Sequence, residues 1–183
     1  MTSARLRRPR RRVRTWASAL MISLTLSNTI AAAMAAACRE NAMIVFDASG
    51  SMGQFRDGRA KIDIAREATA KVLPEVTGYR PTGLDTYSGE RGPACLEIVL
   101  RVKPAVATAP RILAALARLS PNGATPLADA VDLAADTLLR LKAPGVVVLV
   151  TDGLENCGRD ACRVAERLKA HGNALRVHVI TFY

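Results

Sequence analysis

The chain has 183 residues, of which 50% are hydrophobic, and its 26 basic and 16 acidic residues give a formal net charge of +10. This apolar content excludes a disordered low-complexity chain, and the length suits one domain with an appendage. Seven arginines lie in the first 14 residues; without residues 1–37, 19 basic residues face 16 acidic ones and the net charge falls to +3. The charge therefore belongs mainly to the N-terminus and does not indicate nucleic-acid binding.

The N-terminal segment has the pattern of a secretory signal peptide. Residues 16–37 follow the arginines, carry no charge and end in alanines interrupted only by Met34. A basic region, an apolar region and small residues in this order predict a signal peptide over 1–37 and an exported domain over 38–183. An uncleaved membrane anchor stays open, since 22 uncharged residues can span a bilayer, and so does a lipoprotein signal ending at Cys38. Each alternative places the domain outside the cytoplasm, in the periplasm or beyond the cell.

The four cysteines agree with export, because an even number in an oxidising compartment indicates disulfides. Cys157 and Cys162 are five positions apart around a Gly-containing segment, close enough to pair across a turn. We therefore predict a disulfide between them. The sequence leaves open whether Cys38 and Cys95 pair or stay free.

From residue 42 onward the hydrophobic pattern alternates between strand and helix periods. In chain order it predicts strands at 42–48, 83–87, 96–102, 146–151 and 175–182, and helices at 61–73, 110–119, 127–141 and 160–170. Pro74 is expected to end the first helix. Thr125 is expected to be the N-cap of the third, with Pro126 at its first position.

These elements predict an α/β domain with a doubly wound, mostly parallel central sheet and helices on both faces. The continuous apolar run at 146–151 (VVVLVT) is typical of a strand buried on both faces, as in parallel sheets. The turn at 88–93 instead joins its two strands as an antiparallel hairpin, and the alternating pattern of 96–102 indicates an edge strand.

Oxygen-bearing side chains gather where the predicted strands end. Asp47 ends the first strand and is followed by Ser49 and Ser51; Asp152 follows the strand at 146–151, and Thr125 precedes a helix. Ligands of such sheets bind at the carboxyl ends of the strands. Oxygen donors suit a hard cation, Mg²⁺ first with Mn²⁺ and Ca²⁺ as alternatives, and the absence of His and Cys from these motifs argues against zinc.

The charges of this group suggest a binding mechanism. Two carboxylates offset a divalent ion, and the hydroxyls are neutral. Coordination through the hydroxyls, with the carboxylates acting partly through water, would keep the ion electrophilic and one coordination position open. A carboxylate of a partner could then complete the shell, so that the metal controls binding.

The pattern resembles the von Willebrand factor type A domain with its metal-ion-dependent adhesion site. The family's DxSxS motif matches Asp47-Ala48-Ser49-Gly50-Ser51, its loop threonine matches Thr125 in GATPL, and its later aspartate matches Asp152 in VTDG. The resemblance covers residues 42–183. It implies a Rossmann-like sandwich, a divalent ion held by these five residues, and binding of a protein ligand through an Asp or Glu carboxylate without catalysis. The family usually continues with one more helix and strand, so we expect either a sheet that is one element short or a chain truncated relative to the family.

Two alternatives remain beside this interpretation. A magnesium-dependent phosphatase-like hydrolase would use a strand-ending aspartate such as Asp47 as nucleophile. It would need a second acid two residues later, where Ser49 stands. The other alternative is a metal-free scaffold of the same fold.

Overall fold

The structure, a computed structural model, describes residues 40–89 and 95–182. The described residues belong to one unit of the chain, Cys38–Tyr183. The predicted signal peptide, the alternative membrane anchor and Cys38 lie outside the described residues. Within the described ranges, no helix is long and apolar enough to cross a membrane.

The described part of the domain alternates strands with helices. The strands are β1 (Asn41–Asp47), β2 (Phe55–Arg56), β3 (Arg59–Ala60), β4 (Thr82–Tyr87), β5 (Ile98–Ala105), β6 (Gly145–Thr151) and β7 (Leu175–Thr181). The helices are α1 (Lys61–Tyr79), α2 (Ala109–Leu116), α3 (Leu127–Leu139) and α4 (Ala161–Lys169), with 3-10 turns at Gly50–Gly53 and Gly172–Ala174.

The predicted fold class is confirmed. The main sheet has the order β5-β4-β1-β6-β7, and all neighbours run parallel except β5, which is antiparallel to β4 at one edge. The strands β2 and β3 form a separate small hairpin. From β1 the chain moves to β4 on one side of the sheet, and from β6 it moves to β7 on the other. The order therefore reverses between β1 and β6, and such a reversal creates a crevice at the carboxyl ends of the strands.

Strand β1 lies at the centre of the sheet and is buried along its whole length. Its side chains alternate between two hydrophobic clusters, as the period of a strand requires. Met43 and Val45 face the cluster that includes α3 and α4, whereas Ile44 and Phe46 face the cluster that includes α1 and α2. Asp47 ends the strand with a side chain that is 0% exposed, so packing on both faces fixes the position of this carboxylate.

Two local predictions about helix ends are wrong. Helix α1 continues through Pro74 to Tyr79, although a proline inside a helix costs about 3 kcal/mol. Leu73 and Thr77, on either side of it, are almost fully buried, and the carbonyl of Thr77 accepts the N–H of Ala107 at 2.7 Å. These contacts offset the loss. Helix α3 has Pro126, not Thr125, at its N-cap position, without a side-chain cap from that residue.

The predicted disulfide between Cys157 and Cys162 is also wrong. Cys157 instead pairs with Cys95, 62 residues earlier in the chain, and Cys162 is a free, exposed thiol in the first turn of α4. The segment before Cys162 is occupied by a helix cap: Asp160 accepts hydrogen bonds from the backbone N–H groups of Cys162 and Arg163. Spacing along the chain alone did not reveal this competing local structure.

Candidate metal site

The predicted residues lie at the crevice between β1 and β6. Asp47 ends β1, and Asp152 directly follows β6 on the neighbouring strand. Both side chains are buried, as is Ser49, while Ser51 is half-buried. The topology of the sheet therefore brings two carboxylates that are 105 residues apart in sequence to the same edge.

The loop after β1 is held by its own side chains. Asp47 Oδ1 accepts the backbone N–H of Ser49 at 2.7 Å, an Asx turn that reverses the chain. The hydroxyls of Ser49 and Ser51 are 3.1 Å apart, and Ser51 donates to Asp152 Oδ1 at 2.7 Å. Three of the predicted side chains, Ser49, Ser51 and Asp152, thus form one continuous chain of oxygens.

Thr125 reaches the site through its backbone neighbours. The carbonyl of Gly123 accepts the N–H of Gly50 at 3.1 Å, which attaches the loop of Thr125 to the loop after β1. Gly123 has a φ of +82°, a conformation that favours glycine. The N–H of Thr125 donates to Asn156 Oδ1 at 2.7 Å, and the residue is 4% exposed. Hydrogen bonds therefore connect the loop of Thr125 with the loop after β1 and with the loop after β6.

Glu155 supplies the helix cap that the sequence had suggested for Thr125. Its Oε2 accepts the N–H of Ala128 at 2.8 Å in the first turn of α3, and its Oε1 accepts the N–H of Cys157 at 2.7 Å. A carboxylate at this end also interacts favourably with the helix dipole. The cap comes from a residue 27 positions away, so no local motif signalled it, and Thr125 is left available for the site.

Asp47 has a second support that sequence reasoning missed. Thr151 donates its hydroxyl hydrogen to Asp47 Oδ2 at 2.6 Å, and Tyr87 donates to the same Thr151 oxygen at 3.1 Å. Burial, and then the negative charge of Asp47, raise the pKa of Tyr87 well above its ordinary value, which keeps the phenol protonated as a donor. The only signal in the sequence was position: Tyr87 ends β4 and Thr151 ends β6, and both strands pair with β1.

Lys61 was also missed. Its ammonium donates to Asp152 Oδ2 at 2.7 Å and to Gln54 Oε1 at 3.1 Å. The side chain of Asp152 is 0% exposed and that of Lys61 is 15% exposed, so the pair is largely shielded from water. Lys61 is the first residue of α1, and in the sequence it appeared only as the start of an amphipathic helix.

The donor chemistry fits a hard divalent cation. The site offers two carboxylates and hydroxyls. Asp47 Oδ1 accepts the N–H of Ser49 and Asp47 Oδ2 accepts the hydroxyl of Thr151, although each carboxylate oxygen has two lone pairs. Residues 40–89 and 95–182 contain no group of three or more His, Cys, Asp or Glu side chains suited to a metal. A site here therefore depends on its hydroxyls, which oxygen-seeking ions such as Mg²⁺ tolerate better than zinc does.

Comparisons with known proteins agree with this architecture. A family model of the von Willebrand factor type A domain matches residues 42–155. The uncharacterized protein YwmD of Bacillus subtilis (strain 168) is 33% identical over 156 residues, an alignment that covers 78% of this chain and 67% of YwmD.

Two solved structures share the fold at low sequence identity. One is a von Willebrand factor type A protein from Catenulispora acidiphila, with a TM-score of 0.59 and 21% identity over 78% of this chain and 33% of that one. The other is proximal thread matrix protein 1 from the mussel byssus with a zinc-occupied MIDAS motif, with a TM-score of 0.57 and 17% identity over 78% of this chain and 38% of that one. The strand order, the crevice between β1 and β6 and the family match together lead to one conclusion: the chain belongs to the von Willebrand factor type A domain family.

Proposed function

We propose that this protein is an exported, non-enzymatic binding module in which a divalent cation links the domain to a carboxylate of a protein partner. The observation that carries the proposal is the chain of oxygens from Ser49 through Ser51 to Asp152, beside the supported carboxylate of Asp47. Asp47, Ser49, Ser51, Thr125 and Asp152 would hold the ion, with Mg²⁺ preferred and Mn²⁺ or Ca²⁺ as alternatives.

The ion would supply a positive charge at the surface, able to accept a carboxylate oxygen of the partner. The protein's own residues hold the oxygen donors in position. Packing of β1 and β6 fixes the two aspartates, and Thr151 orients Asp47 through a short hydrogen bond. Ser51, the half-buried member, lies on the side that a partner can approach. A rigid, pre-formed donor set lowers the entropy cost of binding.

The rim of this edge supports a protein as the partner. Phe55, Leu96 and Leu154 are 75%, 89% and 82% exposed. Phe55 lies in the β2–β3 hairpin that follows the serine loop, and Leu154 is two residues after Asp152. Leu96 adjoins Cys95, whose disulfide to Cys157 ties it to the loop after β6. Large exposed apolar side chains that lie close together mark surfaces that interact with other proteins.

Two features support export. The disulfide between Cys95 and Cys157 fits an oxidising compartment. The arginine-rich, then uncharged, then alanine-rich pattern of residues 1–37 predicts a signal peptide, with an uncleaved anchor as the alternative route to a membrane.

The zinc-occupied MIDAS motif of the mussel protein supports a divalent ion at this position of the fold.

Thermal unfolding with and without metal tests the metal site. An ion bound only by the folded state raises the melting temperature. We expect Mg²⁺ to raise that of the wild type but not that of Asp47→Asn, whereas Asp57→Asn, in the exposed hairpin turn, should respond like wild type. An equal response of wild type and Asp47→Asn would contradict the proposal and leave a metal-free scaffold.

The partner and the absence of catalysis need separate tests. Crosslinking pull-down from cell-envelope extracts should capture a protein with Mg²⁺ and lose it with chelator. Hydrolysis of p-nitrophenyl phosphate in magnesium buffer should not exceed that of Asp47→Asn. Turnover that disappears in this variant would instead identify the phosphatase-like alternative.

A further inference from the structure

We propose that Lys61 is a tethered cation that competes with the divalent ion for Asp152 and thereby sets how tightly this domain binds metal. The inference rests on the proposed function, because it concerns the same site. It adds a residue outside the five metal-binding positions and gives it a defined effect, which is to weaken metal binding while stabilising the metal-free domain.

The geometry of Asp152 carries the inference. Its Oδ1 accepts the hydroxyl of Ser51 at 2.7 Å, and its Oδ2 accepts the ammonium of Lys61 at 2.7 Å. The carboxylate is 0% exposed, so water does not screen this ion pair well. A divalent ion held next to Ser51 and Asp152 would share the carboxylate with the ammonium, and the two positive charges would repel each other.

The charges of the site give the direction of the effect. Asp47 and Asp152 supply two negative charges toward a dication, and Lys61 neutralises one of them. Removing the ammonium would therefore strengthen the attraction for metal. In the absence of metal, the same removal would leave the carboxylate of Asp152 buried without its counter-ion, which is destabilising.

The ammonium of Lys61 has a second acceptor, Gln54, that it can keep when metal displaces it from Asp152. Its ammonium already contacts Gln54 Oε1 at 3.1 Å, and its flexible four-carbon stem can carry the charge away from Asp152 without moving the helix. Lys61 opens α1, and a positive charge is unfavourable at the N-terminal end of a helix. The carboxylate of Asp152 is thus the feature that makes this position favourable for a lysine.

Competition has a quantitative consequence. The apparent dissociation constant for metal is the intrinsic one divided by the fraction of molecules in which Asp152 is free. If the ammonium occupies the carboxylate in about nine molecules of ten, removing it tightens metal binding roughly tenfold.

The test compares full-length wild type with Lys61→Gln by calorimetric titration with MgCl₂ and by melting temperature in chelator. Lys71→Gln is the matched control, because Lys71 lies on the same helix and pairs with Glu67 at the surface. We expect Lys61→Gln to bind Mg²⁺ roughly tenfold more tightly and to melt at a lower temperature without metal. Lys71→Gln should change neither value.

The combination of opposite effects separates competition from a merely structural role. A structural role would lower the melting temperature without tightening metal binding, and that result would overturn the inference while the proposed function stands. If neither protein binds Mg²⁺, both proposals are overturned. If Lys61→Gln does not fold, Lys61→Arg provides a second variant. A guanidinium binds a carboxylate through two parallel hydrogen bonds and should compete with the metal more strongly than the ammonium does. Metal binding by Lys61→Arg should therefore be weaker than in wild type. Binding as tight as in wild type would overturn the inference.

Discussion

Cys95 and Cys157, 62 positions apart in the chain, are joined by a disulfide that connects the segment before β5 with the loop after β6. Three residues of that second loop contribute to the site: Asp152 is a candidate ligand, Glu155 caps α3, and Asn156 accepts the N–H of Thr125. The bridge therefore restrains the loop whose side chains organise the candidate metal site.

Breaking this disulfide should destabilise the domain. In the loop-entropy description, a closed loop of this length raises the free energy of the unfolded chain by roughly 4 kcal/mol. We expect Cys95→Ser to lower the free energy of unfolding by about 2 to 4 kcal/mol in urea titrations, and Cys162→Ser to leave it nearly unchanged. Peptide mapping of the non-reduced protein should recover the Cys95–Cys157 link; recovery of a Cys157–Cys162 link would contradict the structure.

The hydroxyl of Thr151 should matter for both stability and metal binding. Thr151→Val keeps the shape of the side chain but removes the hydroxyl that donates to Asp47 Oδ2 and accepts from Tyr87. Unsatisfied buried groups of this kind cost about 1 to 3 kcal/mol, and a less well oriented Asp47 should bind Mg²⁺ more weakly. Tyr87→Phe is the control, since it preserves the bond from Thr151 to Asp47. Equal metal affinity of Thr151→Val and wild type would show that this support is unnecessary.

Glu155 should behave as a helix cap. Glu155→Ala removes the acceptor for the N–H groups of Ala128 and Cys157, and we expect a loss of about 1 kcal/mol in urea unfolding. Glu166→Ala, on the exposed side of α4, offers a comparison with the same change of charge. A similar small effect of both variants would argue that water replaces the cap.

Asp85 should make the stability of the domain depend on pH. Its side chain lies in β4, is 0% exposed and has no hydrogen-bond partner at either carboxylate oxygen, and burial raises its pKa from 3.8 to about 7. The folded state therefore holds a proton between these two values that the unfolded state releases. The contribution of this group is fully present below pH 3.8 and is lost as the pH rises through about 7.

The Asp85→Asn variant tests this direction. At pH 8 it removes a buried charge and should stabilise the domain by roughly 2 to 4 kcal/mol. At pH 5 the native carboxyl is already protonated, so the gain should be much smaller. Urea titrations of both proteins at the two pH values give the comparison; a gain independent of pH would mean that Asp85 stays ionised throughout.

The exposed rim should contribute to partner binding. Phe55→Ser and Leu154→Ser remove apolar side chains at the edge that carries the site, and we expect each to reduce magnesium-dependent capture of a partner several-fold. Val106→Ser is the matched control, because Val106 is 56% exposed and follows β5 at the opposite edge of the sheet. Equal loss in all three variants would indicate general destabilisation instead of a lost contact.

Most of the fold followed from the sequence because buried strands and amphipathic helices have different hydrophobic periods. The run ending at Asp47 and the run ending at Thr151 both appear as continuous apolar stretches, and both lie in the middle of the sheet. What the periods did not reveal was where tertiary contacts override local signals. Helix α1 continues through Pro74 because Thr77 beyond it is buried. Strand β5 starts at Ile98 because pairing with β4 begins there.

The candidate site shows the same division. Asp47, Ser49, Ser51, Thr125 and Asp152 stood out because together they match the DxSxS motif, the loop threonine and the later aspartate of one family in the right order. Lys61 and Thr151 did not, because a lysine that begins a helix and a threonine that ends a strand are ordinary in sequence. Only the structure shows that each donates to one of the two aspartates. The disulfide likewise depended on a spatial neighbour, Cys95, that lies far away along the chain.

Asp47 ends the inner strand β1 and Asp152 directly follows the inner strand β6, while β5 and β7 form the borders of the sheet. Strand β7 is exposed along nearly all of its length, whereas β1 is buried throughout. Substitutions can thus accumulate at the borders over evolutionary time while the spacing of the carboxylates stays the same. A lineage that inherits this arrangement is free to change its outer surface, and with it the molecules it recognises, without rebuilding the centre.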